Sequence, residues 1–291
     1  MERAQIWFGQ AFLVTTAVLI AGASFGMRLN SCTMLTVLVL GVVLLGLPHG
    51  ALDPLVARKA FAAYKRYSHP VFYMVYLSAV CLYALLWMRL PTLGLAGFLM
   101  ISAYHFGRDW YPRGNALTRL GYGLTVVSLP SILHGHAEAQ IFNLLGTAHA
   151  QMLVEISRVI SPFAVIVGGV GAVLQFTQRR KDLVEFLAIV AGALLLEPLV
   201  FFTCYFSLLH SPRHLLETAK DLGLENCQSI ALKSMTILIA TLMLGGLFYL
   251  YLPHASMSGR IVMTVFIGLA ALTVPHMLLE NLASEERTGS S

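Results

Sequence analysis

The chain has 291 residues, of which 57% are apolar and 11% charged, where a soluble domain carries about 25% charged residues. That balance excludes a soluble globular enzyme, a disordered chain and a nucleic-acid binder, because the net charge of +5 comes from Lys and Arg spread thinly between long apolar runs. The four cysteines, Cys32, Cys81, Cys204 and Cys227, form no C-x-x-C pair and suggest neither a disulfide framework nor a zinc ribbon.

About 20 apolar residues cross a ~30 Å hydrocarbon layer. In chain order the stretches that approach this length are residues 6–27, 33–57, 70–88, 91–107, 117–134, 159–176, 183–197, 198–211, 230–252 and 261–283. The pattern predicts an all-α, polytopic integral membrane helical bundle, a single domain over residues 1–291 with about ten transmembrane helices. The range is eight to ten, since only Glu197-Pro198 separates 183–197 from 198–211 and the two fuse into one kinked helix in a shorter count. Residues 138–154 are read as a re-entrant or surface segment. Arg3, the apolar run after it and Ala21-Gly22-Ala23 also have the outline of a signal peptide.

Charge placement supports this segmentation. With the N-terminus inside, every Lys and Arg except Arg28, Arg89, Arg158 and Arg260 falls on the cytoplasmic side. The expected localisation is therefore multi-pass in the cell membrane with both termini cytoplasmic. The alternation also explains the positive balance without an anionic partner.

Ionisable groups inside membrane spans are expensive and by default mark function. His49, His105, His210, His214 and His276 all fall in the cytoplasmic-side portion of their segments or just beyond it, while His134, His136, His149 and His254 fall on the opposite side. At ~1.5 Å rise per residue, His276 lies ~24 Å beyond Arg260, and His105 sits nearer the interface. Residues four apart share a helix face, which pairs His49 with Asp53, His105 with Asp109 and His276 with Glu280. A ligating imidazole usually passes its other ring N–H to such a carboxylate, although His134 and Glu138 have the same spacing on the far side. In His210-Ser211-Pro212-Arg213-His214, proline predicts that His210 ends one helix and that Ser211 caps the next.

Imidazole suits zinc, copper, iron and nickel alike. With no thiolate in the cluster and a hydrocarbon environment, the pattern favours non-haem Fe(II) with open positions for an O2-dependent oxidation of a lipid. A site of two histidines and one carboxylate, Asp53 or Asp109, fits the spacing nearly as well as four imidazoles. A membrane transporter or metal carrier with His and Asp relays is the alternative class, and a different non-haem iron oxidase of lipids is a third. Arg213 is expected to snorkel to headgroups and Trp110-Tyr111 to form an interfacial belt. The aromatic run over residues 201–206 either lines a substrate tunnel or faces lipid.

Four motifs then carry a resemblance: Gly46-Leu47-Pro48-His49-Gly50-Ala51-Leu52-Asp53, Tyr104-His105-Phe106-Gly107 with Asp109-Trp110, Tyr205-Phe206 with His210-Ser211-Pro212-Arg213-His214, and Val274-Pro275-His276-Met277. Together they resemble the Brp/Blh family of microbial membrane β-carotene 15,15'-dioxygenases. The resemblance implies an Fe(II) enzyme that uses O2 to split β-carotene at its central double bond into two all-trans retinal molecules, within the lipid bilayer and often for a microbial rhodopsin as retinal acceptor. It further implies His49, His105, His210 and His214 as iron ligands and catalytic residues. Asp53, Asp109 and His276 are then expected around those four as supporting groups.

Overall fold

The computed structural model describes residues 2–61, 68–108, 115–174, 180–224, 226–252 and 256–289. It is 91% helical, and no strand occurs among the described residues. In chain order the helices are α1 (Glu2–Ser24), α2 (Ser31–Gly41), α3 (Asp53–Ala60), α4 (His69–Arg89), α5 (Pro91–Arg108), α6 (Ala116–Ser128), α7 (Pro130–Leu144), α8 (Ala150–Leu174), α9 (Arg180–Leu195), α10 (Pro198–Cys204), α11 (Ser211–Asp221), α12 (Cys227–Tyr251) and α13 (Met257–Gly289). Three wider or tighter turns interrupt this series: a π turn over Val42–Gly46, a 3-10 turn over Leu47–Leu52 and a π turn over Tyr205–His210.

The surface is apolar where helices meet lipid. α4 exposes Val71, Met74, Leu82 and Leu85, and α12 exposes Leu232, Met243, Leu247 and Leu250. Polar groups turn inward instead, Thr16, Ser161, Asp53 and His210 among them. This arrangement suits a chain whose solvent is hydrocarbon, since each polar group must then find its partner inside the protein. It makes the chain a membrane protein.

Six described helical segments are long and apolar enough to cross a membrane: Arg3–Ser24, Ser31–Ala60, His69–Arg89, Ala150–Leu174, Gln228–Tyr251 and Met257–Ala283. The count becomes seven if α6 and α7, bent by 48° at their junction, form one broken span. The ten stretches read from the sequence exceed this count because the interior helices are short or polar. α9 has 16 residues and buries Asp182 and Glu185, α10 has 7, and α5 ends in His105 and Arg108.

Small residues set the closest approaches, as expected where lipid offers no hydrophobic drive for helix association. A Cβ on Gly123 of α6 would run into the Ala103 carbonyl of α5, and one on Gly121 would lie 2.8 Å from the Gly168 nitrogen of α8. α5, α6 and α8 therefore meet backbone to backbone, and α5 is held where it presents His105. α1 buries Phe12 and Thr16 within the bundle.

Candidate functional site

Five imidazoles converge from five parts of the chain. His49 comes from the 3-10 turn after α2, His105 from the last turn of α5, and His210 from the end of the second π turn. His214 comes from the start of α11 and His276 from α13, one residue after the interior Pro275. The His49 ring centroid lies 5.5 Å from those of His210 and His214 and 5.3 Å from that of His276. His105 lies 4.8, 5.7 and 5.4 Å from the same three. His214 completes the group, 6.2 Å from His210 and 5.3 Å from His276.

The group contains all four histidines expected to act together, and His276, expected behind them, stands among them. His105 is buried within the protein. Histidines of the other side remain outside: His134 Nε2 pairs with the Leu194 carbonyl at 2.9 Å and His136 with Gln140 at 3.1 Å. Asp109, Trp110, Tyr111 and His254 lie outside the described residues.

The carboxylates support different rings from those that helical spacing suggests. Asp53, 2% exposed, accepts from Tyr76 Oη at 2.7 Å and from His276 Nδ1 at 2.8 Å, not from His49. His49 donates through Nδ1 to the Gly46 carbonyl. The 3-10 turn explains the exchange, because at three residues per turn His49 and Asp53 no longer share a face. Glu280 likewise serves more than its own helix. Its Oε1 lies against His214 Nε2 and 3.8 Å from His276 Nε2, while its Oε2 is 3.8 Å from His105 Nδ1.

The donor set fits a metal ion of the kind that imidazole holds. One ring nitrogen each from His49, His105 and His276 lie within 4.8 Å of one another. Two nitrogens across a single ion are about 4.2 Å apart at a metal–nitrogen distance of about 2.1 Å. His214, His276 and Glu280 form a second group within the same limit. His276 gives the sharpest indication, since Nδ1 is held by Asp53 while the buried Nε2 has no hydrogen-bond partner. Buried polar atoms in that state are rare, and a cation facing the ring would satisfy it.

Aromatic side chains close the other side. Phe106 lies 4.8 Å from His210, Phe206 stacks on His210 at 5.5 Å and approaches His49 at 5.9 Å. Phe201, Tyr205 and Phe206 are all buried, so this part of the aromatic run faces the site and core rather than lipid. Gly46 permits the approach, since a Cβ there would lie 2.6 Å from Phe206 Cε1.

A family model described as beta-carotene 15,15'-dioxygenase matches residues 40–283, a span that takes in all five histidines. The chain belongs to this family. A curated member, the beta-carotene 15,15'-dioxygenase of Uncultured marine bacterium 66A03, is 30% identical over 251 residues, covering 82% of this chain and 90% of its own. No solved structure matches significantly.

Two features of this dioxygenase-family chain escape a reading by motif. Tyr76 sits in an apolar run with no polar periodicity, and only the fold brings it to Asp53. Arg213 does not snorkel: it donates to Glu185 of α9 at 2.9 Å, a partner that local spacing gives no means of finding. As expected, His210 ends one element, but the cap predicted at Ser211 is not formed. Ser211 is helical, His210 occupies the cap position without a side-chain cap bond, and the π turn passes directly into α11.

Proposed function

We propose that this chain cleaves β-carotene at the 15,15' double bond with O2, giving two retinal molecules, at a centre where His49, His105, His210 and His214 hold Fe(II). The observation that carries the reading is the buried five-imidazole group in a chain of this family. One O2 balances the reaction, with one oxygen atom ending on each aldehyde. Bound Fe(II) with open positions supplies the activation of O2 that such a cleavage requires.

The chain's own residues prepare that chemistry. With Nδ1–H given to the Gly46 carbonyl, His49 keeps the Nε2 lone pair for the metal. Neutral imidazoles leave the cation's charge undiminished; Asp53 balances it from behind His276, and Glu280 from beside His214 and His276. Phe106, Tyr205 and Phe206 exclude water and offer flat apolar faces to a polyene. Confining the substrate against these rings keeps the oxidant from other double bonds.

Substrate enters from the side. A cavity of about 380 Å³ lies between α4 and α13, lined by Phe72, Val75, Tyr76, Ala79, Pro275 and Leu279. Val75 is exposed on the lipid face of α4, whereas Tyr76 bonds to Asp53, the partner of His276. The cavity opens on the hydrocarbon surface and ends at Tyr76, two hydrogen bonds from His276, and its apolar walls suit a carotene. The chain is a multi-pass protein of the cell membrane with cytoplasmic termini, and retinal leaves into the bilayer, where a microbial rhodopsin is a suitable acceptor.

Expression in cells that accumulate β-carotene tests the reading. Two retinals should form for each carotene lost. His210→Ala at equal protein level should abolish this, and His136→Ala should leave it within about twofold, as for a substitution away from the site. Intact carotene with inserted wild-type protein, air and iron would overturn the assignment.

A further inference from the structure

We propose that His276 is itself a metal ligand, a fifth imidazole beside His49, His105, His210 and His214, and that Asp53 and Tyr76 position it. This inference rests on the iron-centre reading above and extends it to a ring that the four-histidine set leaves out.

Three independent features converge on His276. Its ring lies as close to the rings of His49, His105 and His214, at 5.3 to 5.4 Å, as those rings lie to the others of the group. It belongs to both sets of side chains whose donor atoms come within 4.8 Å, and no other described residue does. Its two nitrogens are also differentiated. Nδ1 meets both Asp53 oxygens, at 2.8 and 3.0 Å, which keeps the proton on Nδ1. The buried Nε2 is then an acceptor without a hydrogen-bond donor, and its nearest carboxylate, Glu280 Oε1, stands 3.8 Å away.

The chain behind the ring is what a ligating histidine needs. An imidazole that passes its second N–H to a carboxylate is fixed in tautomer and orientation and becomes more basic toward a metal. Here that carboxylate is fixed in turn by Tyr76 Oη at 2.7 Å. Tyr76, Asp53 and His276 come from α4, α3 and α13, so the relay crosses three helices to aim one nitrogen. A histidine that merely joins helices has no use for a buried acceptor nitrogen on a ring packed beside three other imidazoles.

The test measures metal binding, not turnover. Purified wild-type protein in detergent, stripped and titrated with Fe(II) against a competing chelator, should bind one ion. His276→Ala should weaken binding by at least about tenfold, and added imidazole should recover part of the loss. Asp53→Leu removes the acceptor and should weaken binding about 10–100-fold, the range for partners of ligating histidines. Asp53→Asn keeps an acceptor oxygen and should fall between, and Tyr76→Phe should have a smaller effect. Co(II) in place of iron should show altered visible bands in His276→Ala, since loss of a ligand changes coordination. Should His276→Ala fail to fold, the Asp53 and Tyr76 variants decide. Wild-type affinity and Co(II) bands in the folded variants, even with lowered melting temperatures, would overturn the proposal. If the wild type itself binds no iron, the underlying reading falls instead.

Discussion

Arg213 Nη2 donates to Glu185 Oε2 at 2.9 Å, tying α11 to α9 one residue before His214. The Glu185 side chain is 8% exposed, and Gly9 of α1 makes room for it, since a Cβ there would come within 2.9 Å of Glu185 Oε1. Removing one partner of such a pair strands the other charge, at about 3–5 kcal/mol, whereas replacing both with apolar groups is often close to neutral. Glu185→Gln and Arg213→Ala should each melt well below wild type in detergent, and the double variant Glu185→Leu with Arg213→Met should melt above either single one. Equal melting of all four proteins would refute this account of the pair.

Metal identity separates oxidation from simple ligation. A ferrous chelator should stop retinal formation, and Fe(II) should restore it. Zn(II) suits the same imidazoles but has no redox chemistry, so it should occupy the centre and leave the protein inactive. Restoration of activity by zinc would contradict the oxidative reading.

The cavity between α4 and α13 makes a prediction about substrate access. Ala79→Trp places an indole among Phe72, Val75 and Tyr76 without touching a histidine. It should raise KM for β-carotene about tenfold, equivalent to ~1.4 kcal/mol, with iron content unchanged and kcat near wild type. An unchanged KM would mean that carotene enters by another route.

Close packing around His105 is testable in the same preparation. Gly123→Ala forces a methyl against the Ala103 carbonyl, and overpacking of this kind typically costs about 1–3 kcal/mol. Gly246→Ala on α12, where no atom lies within 4 Å, should be neutral or slightly stabilising because alanine is the better helix former. Thermal melting should therefore fall for the first variant only, and retinal formation with it.

The membrane helices and the gathering of His49, His105, His210 and His214 are legible in the sequence because both follow from local information: apolar run length, charge alternation and motif. What local information does not carry is the pairing across helices. Spacing assigns Asp53 to His49, yet a 3-10 turn rotates the two apart and His276 takes the carboxylate. Spacing joins Glu280 to His276, and the fold sets it against His214 as well. Tyr76 carries no distinguishing signal, being one of four hydroxyls, with Tyr73, Ser78 and Tyr83, in an apolar helix. The number of spans is less legible, because α9 and α10 are short and α9 carries buried Asp182 and Glu185 among its apolar residues.

Both π turns lie immediately upstream of a candidate ligand, Val42–Gly46 before the turn that carries His49 and Tyr205–His210 ending on His210. Each amounts to a one-residue insertion into an α-helix, and one residue is worth about 100° of rotation. The two turns therefore behave as built-in angular offsets that aim the histidines after the surrounding helices have been placed. Deleting a residue such as Val43 or Leu208 would leave a more regular helix, similar in length and hydropathy, with its imidazole pointing into the neighbouring wall. A redesign that optimises helical regularity in this fold would discard the centre while improving the scaffold.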